Sequence, residues 1–159
     1  MEDTYKYNSV TVAKYIVAYA NENKFGINMT KLQKLLYITY GVYMAVKEAR
    51  LTNEHPQAWP YGPVFPTTRN RLLKVDFDSI TMESDELNEI KSDDEMQSLV
   101  NLVFGTYGKW NGSQLSEWSH QAGSPWDRTV NSKGFDWGHQ IPDEYIIEYF
   151  KNKIVKSDA

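Results

Sequence analysis

The sequence contains no cysteine, which removes disulfides, thiolate nucleophiles and the usual structural zinc sites. Histidine is scarce: His55, His120 and His139 are the three in 159 residues, and none forms an H-x-x-x-H or H-E-x-x-H pair. The glycines make no phosphate-cradling pattern and the serines no G-x-S-x-G elbow. No cofactor, no metal and no catalytic activity are therefore expected. No apolar run reaches the roughly 18 residues that signal a membrane span. Nor is there an excess of basic residues: the net charge of −4 argues against nucleic acid as the main partner, because phosphate binding needs a concentrated basic face. The amino terminus, MEDTYKYNS, has no basic-then-apolar signal segment, so a cytoplasmic location is expected.

What is present is a globular composition, with 41% hydrophobic and 24% charged residues, and a length that suits one domain over 1–159. Aromatics reach 14%, including eleven tyrosines and five tryptophans, residues that pack with one end and hydrogen-bond with the other. The chain is organised around Thr30 to Glu48, TKLQKLLYITYGVYMAVKE. There Thr30 and Gln33 read as a capping box, and apolar residues from Leu32 to Val46 fall on nearly every side of the projected helix. Such a helix is buried inside its domain. The fold predicted is mainly α: a single compact helical domain around this central helix.

The other elements follow from spacing and caps. A first helix runs from Ser9, as N-cap, to Lys24. Thr52 to Pro66 is an ordered loop in which Pro60 and Pro63 bracket a turn at Tyr61-Gly62. Val64 to Lys74 is a short helix, and the alternation of Val75 to Ile80 admits a short β element. Glu83 to Asp94 is an acidic, solvated stretch. Ser92 and Glu95 read as a second capping box for an amphipathic helix through Met96, Val100, Val103, Phe104 and Trp110. Ser113 caps a helix to about Gln121, Gly123-Ser124-Pro125 ends it, and a loop containing glycine and tryptophan reaches Gln140. A last helix starts at Pro142, with Ile146, Ile147, Phe150 and Ile154 on its apolar face. Residues 1–8 and 156–159 are expected to be flexible ends.

Few residues suggest chemistry. A Ser–His–Asp set can be drawn through Ser116, Ser119, Ser124, His120 and Asp127, but closeness in sequence does not make triad geometry; the plainer reading has the His120 ring holding a backbone carbonyl at a helix-to-loop corner. Arg69, Arg71 and Lys74 form a small basic cluster, more in keeping with a solvated face than with a nucleic-acid patch. Trp59, Tyr61, Trp118, Trp126 and Trp137 lie at loops or helix ends. They read either as staples of loops onto helices or as anchors for a protein partner, since Trp, Tyr and Arg dominate interface energies.

Four segments in order, LQKLLYITYGVYMAV (Leu32 to Val46), AWPYGPVFP (Ala58 to Pro66), LSEWSHQAGSPW (Leu115 to Trp126) and IPDEYIIEYF (Ile141 to Phe150), resemble the Panacea domain. That family includes SocA-like antitoxins and phage-associated GepA-like proteins. Gly62, Pro63, His120, Ser124 and Pro125 belong to the shared motifs and are read as structural. The resemblance implies an antitoxin of a bacterial or prophage toxin–antitoxin system, non-enzymatic, that neutralises a co-encoded protein toxin by direct contact. Two alternatives stay open: from the family, an adaptor delivering the toxin to a Clp protease, and from the Arg69, Arg71 and Lys74 cluster, a nucleic-acid-binding phage regulator. With only about eight residues before the first helix, an added DNA-binding segment is not expected. The toxin-facing residues expected are Trp59, Tyr61, Arg69, Arg71 and Trp126. The sequence leaves the oligomeric state open.

Overall fold

A computed structural model describes the backbone of residues 4–158 and the side chains of residues 4–153. The elements run in the order α1 (Ser9–Glu22), α2 (Met29–Lys47), β1 (Gln57–Trp59), β2 (Gly62–Val64), α3 (Pro66–Leu72), α4 (Asn88–Lys91), α5 (Asp94–Tyr107), α6 (Gly112–Ser119), α7 (Pro125–Val130) and α8 (Asp143–Asp158). The protein is mainly helical, with β1 and β2 as a small antiparallel pair.

α2 is the centre. Every residue from Lys31 to Gly41 is buried, and α1, α5, α6, α8 and β2 all pack on it. Burial without an apolar stripe is possible because the lysine, glutamine and threonine side chains of that run have partners, as buried polar groups require. The Lys31 ammonium donates to the Gly108 carbonyl at 2.6 Å, Gln33 accepts from the Phe65 amide at 2.7 Å, Lys34 donates to the Pro63 carbonyl at 3.2 Å and Thr39 donates to the Leu35 carbonyl at 2.8 Å. Gly41 lets α8 approach: a Cβ there would lie 2.2 Å from the Phe150 ring. Tyr37, Trp118, Tyr149 and Phe150 fill the space between α2, α6 and α8 with edge-on and tilted ring contacts.

Several helix starts differ from the expected ones. Asn28, not Thr30, caps α2 by accepting from the Lys31 amide, which frees Gln33 to hold Phe65. Asn8 caps α1 and leaves Ser9 to donate to Glu54. Asp93 caps α5, while Ser92 donates to the Asn88 carbonyl. Asn111 and Gln114 form a reciprocal capping box at α6, in place of Ser113. α3 has no cap of its own; Glu54 reaches across from the preceding loop to accept from the Thr67 and Thr68 amides and the Thr68 hydroxyl.

Three segments correct the reading from sequence. Residues 75–80 are not a strand: Asp76 accepts from the Asp78 amide and folds Phe77–Ser79 into a 3-10 turn. The β structure lies instead at the hairpin of residues 57–64. The acidic stretch is not simply solvated, because Leu87 and Ile90 are buried and α4 packs on α1. The loop after α6 contains a helix, α7, capped by Ser124 with Pro125 in its first turn.

Of the two expected flexible ends, residues 1–3 and 159, and the side chains of 156–158, lie outside the described residues; so does the Ile154 side chain. Tyr7 is buried, its amide donates to the Leu51 carbonyl at 2.8 Å and its hydroxyl to Asp93 at 2.8 Å. Among the described residues no helix is long and apolar enough to cross a membrane.

Candidate functional site

The hairpin at residues 57–64 stands on the C-terminal end of α6. Its register pairs Gln57 with Val64, Ala58 with Pro63 and Trp59 with Gly62, leaving Pro60 and Tyr61 as a two-residue turn. Gly62 has φ +115°, a conformation side chains resist. A Cβ on it would lie 2.5 Å from Ser119 Oγ and 2.6 Å from Lys34 Cε, so backbone shape and close approach both call for glycine. Pro63 cannot donate, and its carbonyl takes the Lys34 ammonium. Burial pushes Lys34 down from 10.5 to about 8, as expected for a cation with one carbonyl for company.

Three further elements clamp the hairpin. The Ser116 hydroxyl of α6 donates to the Tyr61 carbonyl at 2.5 Å, and the Trp126 indole of α7 donates to the Trp59 carbonyl at 2.8 Å. The segment before α8 runs beside β1, with the Ala58 amide donating to the His139 carbonyl at 2.8 Å and the Gly138 amide to the Ala58 carbonyl at 3.0 Å. This places Trp137 beside Trp126, ring centroids 6.3 Å apart, with Phe135 edge-on to Trp137 at 5.1 Å. On the other side His120 lies 4.0 Å from the Trp126 ring, and the Arg69 guanidinium sits over Trp59 at 5.6 Å.

The outcome is an aromatic face made from α3, the hairpin, α7 and the 135–139 segment. Tyr61 is 75% exposed at the hairpin tip and Trp137 57% exposed on the 135–139 segment. Of the residues expected to face a toxin, Trp59, Arg69 and Trp126 come together, and Tyr61 stands at the hairpin turn two residues after Trp59. Arg71 is exposed two positions along α3 from Arg69, a spacing that turns it away from its neighbour's face. Trp118 belongs to the core instead. Trp137 is the residue that reasoning by nearness in sequence does not place here. Its link to the hairpin is the backbone pairing of Ala58 with His139 and Gly138, across some eighty residues of chain.

The serine hydroxyls near His120 each donate to a backbone carbonyl rather than to the His120 ring. Ser116 donates to the Tyr61 carbonyl, Ser119 to the Ser116 carbonyl at 2.7 Å and Ser124 to the Ser119 carbonyl at 2.9 Å. Asp127 accepts from the Gly123 amide and from Asn131. The basicity of the His120 ring is lowered by burial first and by nearby Lys34 second, against the opposing influence of the Pro60 backbone, and its Nε2 is buried without a hydrogen-bond partner. These residues hold a corner together. Among the described residues no group of His, Asp and Glu is placed to hold a metal ion.

Comparison with known proteins identifies the family. Residues 32–127 match the model of the antitoxin SocA-like Panacea domain. The chain belongs to that family. Antitoxin SocA of Caulobacter vibrioides (strain NA1000 / CB15N) is 29% identical over 167 aligned positions, spanning 94% of this chain and 86% of that protein. No solved structure matches. The matched Panacea segment begins in α2, takes in the whole hairpin and α6, and ends in α7 at Asp127; it therefore contains Lys34, Gly62, His120 and Trp126, while Trp137 and α8 lie beyond it.

Proposed function

We propose that this chain is the antitoxin of a toxin–antitoxin pair and that it neutralises its co-encoded toxin by direct binding through the aromatic face. Membership of the SocA-like family supports the antitoxin role and a non-enzymatic mode of action. The observation that carries the choice of surface is the grouping of Trp59, Arg69, Trp126 and Trp137 around a hairpin fixed by glycine and hydrogen bonds, with Tyr61 at its turn; Tyr61 and Trp137 are more than half exposed. Rigid aromatic side chains lose little freedom on docking, and a stable interface of about 1,600 Å² draws most of its energy from a few such anchors.

Arg71, on the far side of α3, belongs to the rim of this proposed surface, where truncation costs little. The test is co-expression with the protein encoded beside it, scored by growth. Alanine at Trp59, Tyr61, Arg69, Trp126 or Trp137 is expected to weaken rescue, with anchor positions losing about 2 kcal/mol or more of binding, roughly thirtyfold. Arg71→Ala is expected to change it least. Full rescue by all five of the former variants, each still folding cooperatively, would show that the toxin docks elsewhere.

A further inference from the structure

At the other end of α6 from the hairpin lies a cleft of about 530 Å³ lined by Lys24, Lys31, Lys109 and, between them, Phe25, Trp110 and the backbone around Gly112. No carboxylate lines it, although the chain carries 21 acidic against 17 basic residues. Lys31 is the built part. Its side chain is buried, with a relative exposure of 6%, and its ammonium holds the Gly108 carbonyl at 2.6 Å and sits 5.9 Å from the Phe25 ring. An ammonium has three donors, and burial lowers the basicity of this one with no acidic group in the cleft to compensate. Gly108 brings that carbonyl close: a Cβ there would lie 2.7 Å from Phe25.

Two helices also begin at this cleft. Asn28 caps α2 and Asn111 caps α6, and both line it. The starts abut, since a Cβ on Gly112 would lie 3.1 Å from Thr30 Cβ and 3.3 Å from Asn28 Oδ1. The C-terminal ends of α1 and α5 also reach the cleft, at Lys24-Phe25 and Gly108, and offset these positive dipole ends, so the three lysines carry its positive charge. Phe25 and Trp110 are both half-buried, giving apolar walls next to the charge. The volume falls in the range of small-molecule sites, roughly 300–1,000 Å³.

We propose that this cleft binds a phosphate-bearing small molecule, with its anionic part held by Lys31, Lys24 and Lys109 at the paired helix starts and its organic part against Phe25 and Trp110. Several positive charges around one cavity suit a multiply charged phosphate group better than a single carboxylate.

The test is calorimetric titration of the full chain at low salt with ATP as the organic probe and inorganic pyrophosphate as the bare one. Saturable binding of at least one of them below about 1 mM is expected. The double variant Lys24→Glu/Lys109→Glu, both positions exposed and so compatible with folding, is expected to weaken it by about tenfold or more. Lys31→Met gives a second, independent loss. Tighter binding of ATP than of pyrophosphate assigns a role to the aromatic walls; equal binding assigns the site to phosphate alone. No saturable binding of either probe overturns the proposal, as does undiminished binding by the double variant. Binding of an aspartate-rich peptide, with neither phosphate probe bound, also overturns it, in favour of a protein contact.

Discussion

Gly62→Ala should be among the most damaging one-carbon changes in this protein. Two costs add. The backbone at φ +115° is a conformation that costs an alanine of order 1–3 kcal/mol. The new methyl would also start 2.5 Å from Ser119 Oγ and 2.6 Å from Lys34 Cε, and displacing either breaks a hydrogen bond, the one from Lys34 being buried; overpacking of this kind costs about 1–3 kcal/mol. The expected loss is about 2–6 kcal/mol, a large share of the roughly 5–15 kcal/mol that holds a domain folded. Gly123→Ala separates the terms. Gly123 has φ +84° but nothing within 4 Å of an added Cβ, so only the backbone cost applies. Urea unfolding monitored by circular dichroism should show a markedly lower midpoint for Gly62→Ala than for Gly123→Ala at similar m-values. Equal midpoints would refute the argument that Lys34 and Ser119 are packed against the turn.

Other outcomes follow from the core and its charges. Gly41→Ala should cost about 1–3 kcal/mol by forcing the Phe150 ring aside, and combined with Phe150→Ala it should cost less than the two single losses together, measured as a double-mutant cycle in urea. For Lys34 the folded pKa, about 8, lies below the unfolded 10.5, so the folded state binds fewer protons in between and this group makes stability rise with pH across 8–10.5, by up to about 3 kcal/mol. Lys34→Met should lack that rise, and a stability difference from the parent that stays constant from pH 7 to 10.5 would contradict it. Asp143 at the start of α8 is held below the usual carboxylate range: burial opposes ionisation, but hydrogen bonds from His55 and Tyr40 prevail. Its contribution is present above pH 3.8 and lost as pH falls through the lower folded value. Asp143→Asn should therefore destabilise by about 1–3 kcal/mol at pH 7 and much less at pH 3. Asn111→Ala should cost about 1 kcal/mol by uncapping α6, read from the thermal midpoint.

The central helix was legible because the apolar residues between Leu32 and Val46 leave no face for water. Its start was not, since Asn28 and Thr30 are both good caps and only the tertiary demand of Phe65 on Gln33 decides between them. The same competition misplaces Ser9 against Asn8 and Ser92 against Asp93: in each pair the serine loses the cap because its hydroxyl is used elsewhere, on Glu54 or the Asn88 carbonyl. Six residues of α7 are too few for periodicity to register, and Ser124-Pro125, read as a stop, is equally a start. Val75 to Ile80 alternates like a strand but has no neighbouring strand to pair with, and Asp76 turns it. At the aromatic face, local motifs put Trp59, Arg69 and Trp126 on view. Trp137 joins them through backbone pairing between distant segments, which composition and spacing do not encode.

Inducible co-expression with the neighbouring gene, followed by pull-down and a growth assay, tests the central claim most directly. A stable complex that restores growth is expected, with loss of both complex and rescue when Trp59, Trp126 and Trp137 are changed together to alanine in a chain that still folds. A neighbour that is folded and toxic, yet neither bound nor neutralised by this chain, would contradict it.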